Sequence, residues 1–167
     1  TLDLRLQQHS DQLLEGDSLR GSELQIGSIA LEPKTGAIRQ MTGGKDYNLS
    51  SFNRAVDGKR MVGSTFKPFL YYAALEHNFT ATTMLQSEPT AFTMGNEVYE
   101  PSNYNNYYAY KPISLAQALA LSDNIYAVKT HLFLSPEVVV EATRRFGITS
   151  YLPEVASLAL GSASIPL

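Results

Sequence analysis

Ser64 and Lys67 stand three residues apart, so in a first helical turn their side chains share a face and the amine can reach the hydroxyl. A serine hydroxyl alone is a poor nucleophile. A lysine activates it only as the free amine, and bringing a lysine pKa from about 10.4 toward 7 by burial or nearby cations costs roughly 4 to 5 kcal/mol. Phe66, Phe69 and the aromatic residues after them supply a dry setting for that shift. The free N–H of Ser64 at the helix entrance can also donate to an oxyanion forming beside its own hydroxyl, so the pair favours acyl transfer. Taken alone the signal is weak, because Ser-x-x-Lys arises by chance and a serine that starts a helix is usually only a cap.

Ser122-Asp123-Asn124 forms a second polar cluster, in a break between two otherwise apolar helices. From a short connection the Ser122 and Asn124 side chains can both point into a cleft. A hydroxyl there can pass a proton to a leaving nitrogen, and an amide can hold both the lysine and a substrate carbonyl. An ordinary Asx-type helix junction uses the same residue types, so this cluster is also ambiguous by itself.

The elements that must position these groups are readable in outline. Residues 64–76 are largely apolar after the first two except at Lys67, with Phe66, Phe69, Leu70 and Ala73 at helical spacing, which predicts a buried helix. Pro68 is tolerated only where its missing N–H has no partner to lose, so the helix should begin at about Thr65, with Ser64 at its entrance. Ser114 and Gln117 make a capping-box pattern for a helix broken at Ser122 or Asp123. A second helix is expected over residues 124–132, and a third from the N-cap Ser135 and Pro136 to near Gly147. Upstream, alternating Leu2, Leu4 and Leu6 predict a short strand, followed by a helix over residues 7–15 that ends at Gly16. Residues 24–31 and 37–42 flank Pro33-Lys34-Thr35-Gly36 and read as a β-hairpin. Residues 43–63 and the Tyr- and Asn-rich residues 96–110 read as loops, the first of a length that compact domains keep when it lines a functional site.

Composition narrows the classes. The 167 residues suit one domain, and 44% hydrophobic against 17% charged content allows a packed interior. Thirteen Lys and Arg against sixteen Asp and Glu leave a net charge of −3, which provides no field for nucleic acid or anionic lipid. The absence of cysteine excludes disulfides, thiolate nucleophiles and Cys-ligated metals. His9, His77 and His131 show no ligand spacing and read as surface or core residues. No stretch approaches the apolar length that crosses a bilayer, so a soluble piece cut from a longer protein is expected.

Ser-x-x-Lys, Ser-Asp-Asn and a Lys-Thr-Gly triplet together form the motif set of β-lactamases and penicillin-binding proteins. The chain resembles the transpeptidase domain of class A penicillin-binding proteins over nearly its whole length. The matching runs are Thr1-Leu2-Asp3-Leu4, Glu32-Pro33-Lys34-Thr35-Gly36, Gly43-Gly44, Phe52-Asn53-Arg54-Ala55, Pro101-Ser102-Asn103-Tyr104, Ala118 to Asn124, and Ala159-Leu160-Gly161-Ser162. The Gly63-Ser64-Thr65-Phe66-Lys67-Pro68-Phe69 heptad is the specific part. The resemblance implies an α+β fold, the serine β-lactamase/DD-transpeptidase-like antiparallel sheet flanked by helices, incomplete at the C-terminus, so residues 1–167 would be a partial domain. It implies that Ser64 attacks a D-Ala-D-Ala stem peptide of peptidoglycan, with Lys67 as base, Ser122 as proton relay and Asn124 as positioning amide. It further implies acylation of Ser64 by β-lactams, no metal or organic cofactor, and a bacterial, membrane-anchored parent facing outside the cytoplasm.

The family's third motif, Lys-Thr/Ser-Gly on a cleft strand, should follow well after the second. Lys34-Thr35-Gly36 is not that motif, since it precedes the nucleophile in an expected hairpin turn. The chain is therefore expected to carry the nucleophile half of a site and to be inactive unless the rest of the domain is present, even as a separate chain. Two rivals remain. A class A β-lactamase would need a carboxylate to activate water, for which Glu154 is the candidate, its plainer reading being an exposed turn residue. A non-catalytic sensor would be acylated by β-lactam without turnover. Stacking of single-stranded nucleic acid on Tyr104, Tyr107, Tyr108 and Tyr110 lacks the basic groove it needs, since only Lys111 is near; a loop at the cleft rim suits those tyrosines better.

Overall fold

Asp3 decides how the first element begins. Its carboxylate accepts from the N–H groups of Arg5 and Leu6 at 3.0 and 3.1 Å, satisfying two donors that a helix start leaves without partners, and Leu4–Leu14 is a helix, α1. The strand expected from Leu2, Leu4 and Leu6 does not form, because a cap and a run of helix formers outweigh a three-residue alternation. The computed structural model describes residues 2–16, 22–95 and 97–167, and the chain divides into two compact units, Thr1–Arg60 with Ile165–Leu167 and Met61–Ser164. Thr1 and Asn96 of the motifs and loops above lie outside the described residues. No described helix is long and apolar enough to cross a membrane.

In the first unit, β1 (Ser28–Leu31) and β2 (Ile38–Thr42) pair antiparallel with Ser28 opposite Thr42 and Ala30 opposite Gln40, the hairpin that the sequence predicts. Gly36 at its tip has φ 69° and donates its N–H to the Glu32 carbonyl at 2.8 Å, so Lys34-Thr35-Gly36 is turn chemistry, as expected. Helix α1 is fastened to β2 by polar side chains: Gln7 Oε1 accepts from the Met41 N–H at 3.0 Å, and Gln40 Nε2 donates to Ser10 Oγ at 2.9 Å.

In the second unit a 3-10 turn, Gly63–Phe66, runs into α2 (Lys67–Glu76), so the regular helix starts two residues later than predicted while Ser64 keeps its place at the entrance. Two strand pairs follow. β3 (Met84–Ser87) pairs with β6 (Lys111–Ser114), and β4 (Phe92–Met94) with β5 (Glu97–Tyr99), all antiparallel. The loop reading of residues 96–110 is thus corrected at its start: Tyr99 and Val98 face Phe92 and Thr93 across a short hairpin, a β-prone pairing hidden by the Asn-rich surroundings.

Ser114 caps α3 (Leu115–Leu121) through the expected box, its Oγ accepting from the Gln117 N–H at 3.2 Å while Gln117 Oε1 accepts from the Ser114 N–H at 2.9 Å. Helix α4 (Asn124–Leu134) is buried on nearly every side, and α5 (Pro136–Arg145) follows with Pro136 in its first turn. Ser135 occupies the N-cap position at φ 75°, yet its side chain makes no capping bond and instead helps hold the Glu137 carboxyl below its usual range. Phe66, Leu70 and Ala73 of the predicted face are fully buried together with Ile125, Val128, Val139 and Leu158. Each large one contributes about 1.5–3 kcal/mol of burial, and α2 is held by a core that α4 and α5 complete. His131 belongs to that core; burial lowers its pKa, and its Nε2 lies 3.1 Å from the Val155 carbonyl.

Candidate active site

The entrance to α2 is set by two glycines in left-handed conformations, one of which leaves no room for a side chain. Gly63 has φ 57° and donates its N–H to the Gly161 carbonyl at 3.1 Å, and Gly161, at φ 70°, lies so close that a Cβ there would overlap the backbone of Gly63. The Ala159-Leu160-Gly161-Ser162 run therefore has a physical role, since its chain passes against the turn that presents Ser64. Gly161→Ala is expected to cost about 2–3 kcal/mol in urea unfolding, since it adds an overlap to a left-handed backbone.

Ser64 is exposed, and its carbonyl accepts from the Lys67 N–H. Among the described residues neither its hydroxyl nor its N–H has a hydrogen-bond partner. The turn is closed instead by Thr65, whose Oγ1 donates to the Val62 carbonyl at 2.7 Å. Ser64 is thus not a helix cap, and its hydroxyl and N–H are both open to a ligand.

One turn on, Lys67 is 1% exposed. Its Nζ donates to the Ser122 carbonyl at 2.6 Å, to Ser122 Oγ at 2.9 Å and to Asn124 Oδ1 at 2.7 Å. The acceptors converge because α3 ends at Ser122 in a left-handed conformation, φ 53°, and α4 starts at once with Asp123 as N-cap, its Oδ1 accepting from the Tyr126 N–H at 2.8 Å. A serine in that conformation costs of order 1–3 kcal/mol, and here it turns both its carbonyl and its hydroxyl toward one amine. The structure therefore unites three of the four predicted site residues through Lys67. Ser64 and Lys67 share the helix entrance but are not joined side chain to side chain, since the three donors of the ammonium are all spent on the turn.

Burial brings the Lys67 pKa down from its ordinary value to about 8, and the field of Asp123 opposes the shift. As an ammonium, Lys67 has no lone pair to take a proton. As a free amine it keeps two donors for the Ser122 and Asn124 oxygens and gains a lone pair that can accept from Ser122 Oγ or Ser64 Oγ. A serine, a lysine near its titration point, a second hydroxyl bonded to that lysine and an amide make the set needed for nucleophilic acyl transfer.

Sequence reasoning misses the support behind the turn. Asp123 Oδ2 takes the Ser87 hydroxyl at 2.5 Å and the Asn103 amide at 2.7 Å, both buried, and the Asn124 amide donates to the Ser102 carbonyl at 2.7 Å. Ser102 and Asn103 stand in a matched run with no role attached, and only their distance from Asp123 in sequence hides the connection. The same loop borders a hollow of about 500 Å³, where Tyr104 and Tyr107 stand beside Asp123 and Leu121. Glu154 is exposed in an irregular stretch, in keeping with a turn residue.

Residues 26–157 match the penicillin binding protein transpeptidase domain. Penicillin-binding protein 2D of Bacillus subtilis (strain 168) is 47% identical over 167 residues, which is 99% of this chain and 24% of that protein. Penicillin-binding protein 1A of Pseudomonas aeruginosa is 35% identical over 97% of this chain and 20% of its own length. The crystal structure of penicillin-binding protein 1A from Haemophilus influenzae superposes with a TM-score of 0.79 at 34% identity, covering 85% of this chain and 21% of that one. The chain thus spans about a quarter or less of the length of the curated relatives it matches.

Proposed function

The chain belongs to the penicillin-binding protein transpeptidase family and has its serine DD-transpeptidase fold, and from that premise we propose that it carries the nucleophile half of a peptidoglycan D,D-transpeptidase site. Ser64 Oγ attacks the carbonyl of the penultimate D-Ala of a stem peptide while Lys67, as the free amine, takes its proton. The tetrahedral intermediate collapses as the C–N bond breaks, Ser122 relays the proton to the leaving D-Ala nitrogen, and an ester on Ser64 remains. An amine from a second strand attacks that ester, forms the cross-link and returns the proton to Ser64. Asn124 keeps Lys67 in register and has a further amide hydrogen for a substrate carbonyl. β-Lactams acylate the same oxygen, because their strained amide presents the same carbonyl. The stem peptide lies outside the cytoplasm, so the reading places the site at the outer face of a bacterial cell membrane.

The observation that carries this reading is the buried Lys67 amine, bonded to Ser122 Oγ and Asn124 Oδ1. A Lys-Thr-Gly strand beyond these residues would supply the second oxyanion donor; loss of such a donor typically costs roughly 10² to 10³ in rate. The test uses the intact protein with a fluorescent penicillin and a D-Ala-D-Ala stem peptide. Lasting label on Ser64 with release of D-Ala is the expected result. Rapid loss of label would replace the proposal with a β-lactamase-like hydrolase, and lasting label without peptide turnover would replace it with a penicilloyl-binding sensor.

A further inference from the structure

The turn that receives Lys67 is itself gripped by one buried amide. Asn103 is 8% exposed and bonds in three directions: its Oδ1 accepts from the Asn124 N–H at 2.7 Å, and its Nδ2 donates to Asp123 Oδ2 at 2.7 Å and to the Tyr107 carbonyl at 3.0 Å. The neighbouring Ser102 carbonyl fixes which way the Asn124 amide faces. A carbonyl can only accept, so it takes the NH₂ end of Asn124 at 2.7 Å and leaves the oxygen end for Lys67, also at 2.7 Å. The opposite flip would set two oxygens against each other and an NH₂ against an ammonium.

We propose that Asn103 is a positioning residue for Lys67, clamping the Ser122–Asn124 turn so that its three oxygens converge on the amine and tying that turn, through the Tyr107 carbonyl, to the tyrosine loop at the hollow. The proposal rests on the reading of Lys67 as the base. Asn103 bonds to neither Lys67 nor Ser64 and acts through residues 123 and 124. Two consequences of losing it point the same way. Asp123, the charged group whose field reaches Lys67, would have only Ser87 left on Oδ2 and would present more bare charge. The Asn124 N–H would lose its acceptor, and a slackened turn admits water to the amine. Both favour the ammonium form. The phenols of Tyr71 and Tyr126 are pushed upward by burial and stay neutral through the range concerned.

The test compares intact wild type with Asn103→Ala, the near-isosteric Asn103→Asp, and Ser87→Ala, which takes a donor from the same Asp123 oxygen but leaves the Asn124 N–H its acceptor. Two quantities are read: the rate constant of penicillin acylation per folded molecule, and the titration midpoint of Lys67 by competitive acetylation with acetic anhydride and peptide mass spectrometry. Asn103→Ala is expected to slow acylation about 10- to 100-fold and to raise the midpoint, the loss typical of a misplaced catalytic group. Asn103→Asp sets a second carboxylate against Asp123 and should raise the midpoint too, which carries the test if the alanine variant does not fold. Ser87→Ala should slow acylation far less. An unmoved midpoint with acylation within about twofold of wild type, or equal effects from Ser87→Ala, would reduce Asn103 to a structural support of Asp123. If wild type takes no label, the functional reading falls while the Lys67 midpoints still decide the role of Asn103.

Discussion

Replacing Ser64 by alanine in the intact protein is expected to abolish covalent penicillin labelling and to cut D-Ala release at least about 10³-fold, with unfolding free energy moved by no more than about 0.5 kcal/mol. The two halves of that expectation come from separate observations. Stability is untouched because Ser64 is exposed and its hydroxyl bonds to nothing among the described residues, while Thr65 and the Gly63–Gly161 contact hold the turn. Labelling is lost because neither neighbouring hydroxyl stands in the place of Ser64: Thr65 Oγ1 is committed to the Val62 carbonyl, and Ser122 Oγ, bonded to Lys67, lies at the end of another helix, where the proposal makes it the proton relay. A helix-capping serine would behave in the opposite way, losing about 1 kcal/mol on substitution while labelling continued. Peptide mapping of the labelled wild type checks the site directly, and a tag found on Thr65 or Ser122 would overturn the assignment of the nucleophile.

The placement of the candidate residues is more legible in the sequence than the scaffold that supports them. Ser64 and Lys67 lie within one helical turn, and Ser122 and Asn124 flank one residue, so local spacing is enough to set the first pair at one helix entrance and the second at one turn, though it does not join the Ser64 hydroxyl to the amine. Local rules also predict the Ser114–Gln117 box and the turn at Gly36, since each depends on a few neighbouring residues. The expected first strand fails on Asp3, which reads in sequence as part of a motif, although one carboxylate bonded to two N–H groups settles that segment as a helix. The support of the site is not legible at all. Asn103 meets Asp123 and Asn124, and Gly161 meets Gly63, across separations for which a single sequence has no periodicity or spacing signal. These long-range polar contacts convert a serine in a strained conformation into a fixed receptor for an amine.

Lys67→Met tests whether that receptor serves activity at the expense of stability. Methionine fills much of the lysine's volume without the charge, so the variant should lose acylation by about 10² to 10⁴, the usual worth of a general base. Its stability should depend on pH in a way that identifies the amine. With the Lys67 pKa at about 8 in the folded protein and near its ordinary value in the unfolded chain, the unfolded state binds more protons between those limits. The lysine therefore makes the wild type more stable as pH rises from about 8 to 10.5, by about 3 kcal/mol in all at about 1.36 kcal/mol per unit, and below that window it leaves the full cost of a buried ammonium in place. The difference in unfolding free energy between wild type and Lys67→Met should accordingly shift toward wild type across that window and be flat below pH 7. Acylation by wild type should climb through the same midpoint near pH 8, because only the unprotonated amine can receive the Ser64 proton. If the stability difference shows no slope there while acylation still rises, the group titrating in catalysis is not Lys67, and the base must be sought elsewhere in the cleft.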